Sequence, residues 1–337
     1  MKRVFITGSA GFIGFHLSKL LLEEGFRVQG FDGMTDYYDV QLKRHRHEIL
    51  LQDTAFTATE ALLEDEQVLS STVEEFQPDV IIHLAAQAGV RYSLQKPRIY
   101  LESNLIGTFN VMEAARELGV KHLLMASTSS VYGSNEQMPF METDKTDTQL
   151  SIYAATKKAN ESMAHAYAHL WNLPTTMFRF FTVYGPLGRP DLALFKFVDA
   201  ILDDRPIDIY NNGEMYRDFT YVDDLVRGIF LLMSAVPERP SKIEDIIEGD
   251  SLSPVAPFRV VNIGNADKVN LLNFIDAIEN ELQIKAKRNY MDMQKGDVPG
   301  TWANIDLLKR LTGYQPQTNY REGISKFISW FRNYYQK

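Results

Sequence analysis

The sequence has 337 residues, 45% hydrophobic and 23% charged, the balance of a soluble globular chain long enough for one large domain or two closely packed ones. With 44 acidic against 35 basic side chains the formal charge is −9, which argues against a broad nucleic-acid-binding surface but leaves room for small anions held by a few arginines. The absence of cysteine excludes disulfides, thiolate metal sites and cysteine nucleophiles. No apolar run reaches the roughly 18 residues that would cross a bilayer. Met1-Lys2-Arg3-Val4-Phe5-Ile6 leads straight into a strand pattern without a secretory stretch, so a cytoplasmic protein with no membrane contact is expected.

Short β-branched runs at 4–7, 27–32, 80–84, 122–127 and 175–181 alternate with helical patterns at 12–24, 105–118 and 153–171. Runs such as Val80-Ile81-Ile82 suit strands buried on both faces, and the alternation predicts an α/β fold with a doubly wound parallel sheet. Beyond residue 182 the pattern loosens into short elements at 207–210, 219–221 and 260–263, with an amphipathic helix at 321–335. The proline-rich, acidic stretch 237–257 reads as a flexible surface excursion. The layout is a main domain over 1–181, to which later segments return, and a smaller one over 182–337. The seven histidines include no metal-binding HExxH pair, and Lys43-Arg44-His45-Arg46-His47 reads as an exposed basic stretch.

Gly8-Ser9-Ala10-Gly11-Phe12-Ile13-Gly14 follows the first strand and opens the first helix. Glycines at that spacing allow a tight turn, close approach of a pyrophosphate to backbone N–H groups and close helix–strand packing, and the helix N-terminus favours the phosphates. Asp32 ends the next strand. A carboxylate there accepts hydrogen bonds from both ribose hydroxyls and repels a 2′-phosphate, which favours NAD over NADP.

Tyr153-Ala154-Ala155-Thr156-Lys157 puts a tyrosine and a lysine on one helix face. A phenol with an ordinary pKa near 10 is a poor base, but a nearby ammonium together with an oxidised nicotinamide would favour its phenolate. Upstream, a strand runs into Ser127-Thr128-Ser129-Ser130-Val131-Tyr132-Gly133. Hydroxyls at the carboxyl end of a central parallel strand sit where open α/β sheets bind ligands.

The glycine turn, Asp32, Leu84-Ala85-Ala86, the Ser-Thr-Ser-Ser-Val-Tyr-Gly segment and Tyr153-x-x-x-Lys157 occur together and in family order. In this the chain resembles, nearly end to end, the extended short-chain dehydrogenases that act on nucleotide sugars. The resemblance implies a Rossmann-type NAD-binding domain followed by a smaller substrate-binding domain. It also implies catalytic roles for Thr128, Tyr153 and Lys157, with the threonine on the reacting sugar oxygen and the tyrosine as base. Gly8, Gly11, Phe12, Ile13, Gly14, Asp32, Leu84, Ala85, Ala86, Asn104, Ser127 and Phe181 would join Tyr153 and Lys157 around a tightly held NAD.

Dehydratases of this fold carry an Asp-Glu pair where this chain has Ser129 and Ser130, and UDP-glucuronate decarboxylases carry a glutamate at the position of Ser130. Without an extra acid the site is equipped for oxidation and re-reduction, which means epimerisation. The 35–40 stretch, Ala88-Gly89-Val90-Arg91-Tyr92-Ser93, the 184–191 stretch and the 212–219 stretch resemble members that epimerise UDP-glucuronate at C4 through a transient 4-keto sugar. By that resemblance Ser129, Ser130 and Thr182 would present hydroxyls to a sugar carboxylate. Arg91, Arg189 and Arg217 would meet the substrate's anionic groups and Asp297 the nucleotide ribose. A decarboxylase, an epimerase of UDP-glucose or an N-acetylhexosamine, and a non-catalytic NAD-binding protein are the alternatives. The helices at 105–118 and 153–171 resemble those of a homodimer interface in the family, and the product would suit polysaccharide biosynthesis.

Overall fold

In the computed structural model, which describes residues 2–294 and 296–337, the first strand β1 (Arg3–Thr7) lies inside the main sheet with Val4, Phe5 and Ile6 fully buried. It pairs on one side with β2 (Arg27–Asp32), beyond which lies β3 (Phe56–Glu60). On its other side stand β4 (Val80–His83), β5 (His122–Thr128), β6 (Thr175–Phe180) and β7 (Phe258–Ile263). The seven strands run in the order β7-β6-β5-β4-β1-β2-β3, all parallel. The order reverses between β1 and β4, where such sheets open a crevice for ligands.

Helices cover both faces. Phe12, Phe15, Leu17 and Leu21 of α1 (Phe12–Glu23) pack on one, beside Val222, Leu225, Val226 and Ile229 of the helix Val222–Leu232. Helix α2 (Val40–Leu50) leads toward the sheet edge at β3. Helices α3 (Glu66–Phe76), α4 (Thr108–Leu118) and α5 (Ile152–Trp171) cover the other face through Leu69, Val73, Val111, Met112, Ala115, Ala164 and Ala168. This is a doubly wound Rossmann-type α/β fold. The predicted helix at 105–118 is the end of a longer helical stretch, which passes through a π-helical turn at Leu101–Gly107 before α4.

A second core gathers residues from Tyr184 to Phe331. The helices Ala193–Leu202, Leu271–Leu282 and Tyr320–Tyr335 enclose Phe195, Val198, Ile209, Phe274, Ile278, Phe327 and Phe331, and the rings of Phe219 and Phe274 stack 3.8 Å apart. The excursion 237–257 holds one short turn, Ile243–Asp245, and is tied to β7 by the two-pronged ion pair of Asp250 with Arg259.

The basic stretch read as exposed is corrected: Lys43, Arg46 and His47 lie in α2 and are buried. Arg46 donates to the carbonyl oxygens of Ala10 (2.9 Å) and Leu187 (2.6 Å) and to the Tyr38 hydroxyl (2.9 Å). It thereby ties the glycine turn to the segment that follows Tyr184. No helix among the described residues is long and apolar enough to cross a membrane.

Candidate active site

A cavity of about 1230 Å³ opens between the carboxyl ends of the strands and the second core. The turn from β1 into α1 forms its floor, with Gly8, Gly11, Phe12, Ile13 and Gly14 all on the wall. Gly8 has φ +76°, and a Cβ there would stand 2.7 Å from the Ala85 nitrogen. A Cβ on Gly14 would overlap the Gly8 carbonyl oxygen, so α1 approaches the turn as only glycine allows. Helix α1 has no side-chain cap, which leaves first-turn N–H groups for a ligand. Asp32 accepts the Ala10 N–H (3.0 Å) on one oxygen and the Met34 N–H (2.9 Å) on the other, which orients its remaining lone pairs. This cradle fits an adenine dinucleotide whose pyrophosphate lies over the turn and whose ribose hydroxyls reach Asp32. Leu84, Ala85, Ala86, Ser127 and Phe181 line the same cavity.

Asn104 is placed one layer behind that wall. It accepts the Gln87 N–H (2.8 Å) and donates to the Gln87 carbonyl (3.0 Å) and the Thr156 hydroxyl (3.1 Å), so it braces the loop after β4 against α5.

Ser151 caps α5 by accepting the Ala154 N–H, which fixes where the first turn carries Tyr153. Tyr153, Lys157 and Thr128 all face the cavity. Burial raises the Tyr153 phenol above its ordinary value, with the Thr128 hydroxyl and the charge of Arg189 acting the other way. Burial also draws the Lys157 ammonium down to about 8, and its Nζ donates to the Ala126 carbonyl at 3.0 Å. The Tyr153 phenol thus stays above its ordinary value with Lys157 in place, and a second positive charge beside it would favour the phenolate.

Thr128 accepts the Ser130 N–H (3.2 Å) and donates to the Ser130 hydroxyl (3.3 Å). Ser129 and Ser130 begin a short turn, Ser129–Tyr132, and also line an adjoining space of about 50 Å³ with Val298 and Thr301. Thr182 starts a short strand, Thr182–Tyr184, that pairs with Phe219–Tyr221 and brings it to the same wall.

The arginines differ in how they are held. Arg189 faces the cavity in an ion pair with Asp191 (Nε to Oδ1 2.9 Å), so its charge is already matched. Arg91 reaches Asp297 across the cavity at 2.7 Å and lies 4.1 Å from the Tyr210 ring. Arg217 donates to the carbonyls of Tyr216 (2.8 Å) and Pro299 (3.4 Å) and pairs with no carboxylate among the described residues. Burial and the charge of Arg91 lower its pKa against the pull of Asp297.

Tyr37, from the 35–40 stretch, also lines the cavity, as do Lys43 and Tyr210, which the sequence does not single out as site residues. Lys43, whose Nζ donates to the Thr35 carbonyl at 2.6 Å, sat within a charge run that resembled a solvated face. Tyr210 carries no motif that would single it out.

Residues 4–245 match the model of the NAD dependent epimerase/dehydratase family. The chain is 53% identical over 335 residues to a probable UDP-glucuronate 4-epimerase of Rhizobium meliloti (strain 1021), covering 99% of this chain and 98% of that one. It is 42% identical to UDP-glucuronate 4-epimerase 1 of Arabidopsis thaliana, covering 98% of this chain and 77% of the plant protein. In three dimensions it is similar to the UDP-glucuronic acid 4-epimerase of Bacillus cereus in complex with UDP-glucuronic acid and NAD. The TM-score is 0.87 at 29% identity, over 99% of this chain and 100% of the bacterial enzyme.

Proposed function

The chain belongs to the NAD dependent epimerase/dehydratase family, and from that premise we propose that it converts UDP-glucuronate to UDP-galacturonate by inversion at C4. The observation that supports this reading is the cavity wall that Tyr153 shares with the hydroxyl residues Thr128, Ser129, Ser130 and Thr182, with no acid at 129 or 130. When bound, NAD supplies a hydride acceptor that returns the hydride, and its oxidised ring supplies a second positive charge that favours the Tyr153 phenolate. Tyr153 takes the proton of the sugar 4-hydroxyl and gives it back after the sugar has turned its other face. Thr128 holds the C4 oxygen, and Lys157 keeps a positive charge behind the tyrosine.

A 4-keto uronic acid is a β-keto acid and tends to lose CO₂. Hydroxyls of Ser129, Ser130 and Thr182 that hold the carboxylate away from the alignment for C–C cleavage suppress that loss. Arg217, which pairs with no carboxylate among the described residues, suits the diphosphate and Asp297 the nucleotide ribose, while Arg91 and Arg189, each matched by an aspartate, suit anion contacts nearby. Exposed apolar side chains at Leu101, Ile106 and Phe109 support a homodimer. The lack of cysteine suits the cytoplasm, where the product would supply polysaccharide assembly.

Incubation of the purified protein with UDP-glucuronate, without added NAD, followed by NMR of the products tests the reading. UDP-galacturonate is expected. A UDP-pentose as the main product would make the enzyme a decarboxylase, and an unchanged substrate would end the epimerase reading. Thr182→Ala and Ser130→Ala should release more pentose product than the parent.

A further inference from the structure

Behind the cavity wall lies a buried ion pair that the reaction scheme does not use. Glu161 follows Lys157 by one helical turn of α5 and Tyr153 by two, on the same face. Arg179 comes from the carboxyl end of β6, one residue before its last. Both side chains are 3% exposed. The guanidinium grips the carboxylate at two points, Nε to Oε1 and Nη2 to Oε2, each at 2.9 Å. It also donates to the Glu142 carbonyl (3.1 Å) and lies 4.7 Å from the Tyr132 ring. Burial alone would push the Glu161 carboxyl up, but the charge and hydrogen bonds of Arg179 hold it below its ordinary value, so it stays ionised.

The same carboxylate accepts two more hydrogen bonds, from the half-buried Lys158 ammonium at Oε2 (3.3 Å) and from the Ser127 hydroxyl at Oε1 (2.7 Å). An ionised carboxylate can only accept. The single hydroxyl proton of Ser127 is therefore committed inward, and Ser127 also lines the cavity. What it can offer a ligand there is lone pairs alone. Its neighbour Thr128 differs, since its partner is the Ser130 hydroxyl, a group that can either accept or donate.

We propose that Glu161, clamped by Arg179, is a positioning residue that fixes Ser127 as an acceptor-only contact for an O–H or N–H group of the bound NAD or of the sugar. The inference rests on the epimerase reading for its sugar arm and on the dinucleotide cradle for its cofactor arm. A purely architectural pair is the competing account, because exchanging a buried ion pair for apolar residues of similar size often leaves stability unharmed.

The test is a cycle built on the paired replacement Glu161→Leu/Arg179→Met and on Ser127→Ala, with melting temperature recorded for each variant. Two quantities are read: the rate at which purified protein releases NAD, and KM against kcat for UDP-glucuronate. The paired variant should fold, yet release NAD faster or show a raised KM by on the order of tenfold, the size of one ordinary hydrogen bond. Adding Ser127→Ala to it should cause no further loss. NAD release moving alone identifies the cofactor as the partner, and KM moving alone identifies the sugar. Parental values in the paired variant, or losses that multiply when Ser127→Ala is added, would overturn the proposal. Glu161→Gln enters the same cycle if the paired variant does not fold. A parent without activity on UDP-glucuronate would sink the epimerase reading and leave the NAD measurement to decide this one.

Discussion

Tyr153 shows how much a single side chain depends on its neighbours. Its phenol is raised by burial, so it holds its proton until a positive charge arrives beside it. Tyr153→Phe removes the proton acceptor while keeping the ring, which contacts Tyr100 at 6.1 Å between centroids. A fall in kcat of about 10²–10⁴-fold with the melting temperature and NAD content unchanged is expected, measured by steady-state kinetics on the NMR-identified product. Glu142 gives a second residue-scale prediction, this time of stability. Burial lifts its carboxyl from 4.5 to about 7, against the Asn262 N–H and the charge of Arg179. Between those two pH values the folded state binds a proton that the unfolded state has lost, so stability falls as pH rises from 4.5 to 7 and changes no further above it. Glu142→Gln lacks this dependence. Relative to the parent it should gain about 3 kcal/mol between pH 4.5 and pH 8, read from denaturant melts at each pH. A constant difference between the two proteins over that range would contradict the burial argument.

At the scale of elements, the sheet was legible because its central strands are continuous apolar runs bounded by turns, and such runs have few other uses. β3 carries no such signal, because it is the edge strand and Thr57-Ala58-Thr59-Glu60 exposes much of its length to solvent. α2 was misread for the opposite reason. Its buried face includes Lys43, Arg46 and His47, whose polar ends are satisfied by the Thr35, Ala10 and Leu187 carbonyls and by the Ser9 hydroxyl. Hydropathy assigns such a helix to solvent. The cavity residues were legible where a motif reports backbone geometry, as with Gly8 and Gly14. They are illegible where a residue acts from one layer behind without a motif, as with Glu161, while Asn104 is legible as part of the site but not as a brace set behind the wall. The turn that joins β1 to α1 yields the element-scale prediction. In Gly14→Ala the added methyl meets the Gly8 carbonyl and the Ser9 Cα at 3.0 Å, and both are backbone. The turn must open, at a cost of about 1–3 kcal/mol. The variant should melt lower and purify without NAD, as judged by nucleotide released on denaturation. Retention of NAD at the parental level would show that the cradle tolerates a wider turn.

For the whole molecule the question is what covers the apolar side chains that the folded chain leaves in water. Leu94, Leu101, Ile106 and Phe109 are 52%, 48%, 52% and 44% exposed, and they fall within a short stretch that ends at the first turn of α4. Single exposed apolar residues are ordinary on protein surfaces, whereas several close together, as Leu101, Ile106 and Phe109 are, mark a contact. A symmetric pair of chains would bury the stretch against its own copy, so each substitution counts twice at the interface. Ile106→Glu/Phe109→Lys introduces two charges that must be desolvated in each chain before the interface can form. Association should weaken by at least about a hundredfold, and sedimentation velocity at micromolar protein should give the mass of one chain for the variant and of two for the parent. The variant should still purify with NAD, because the cradle at β1, α1 and Asp32 is built within one chain. If the variant sedimented as two chains, the interface would have to lie elsewhere, with the exposed Leu170 and Trp171 at the end of α5 the next surface to alter.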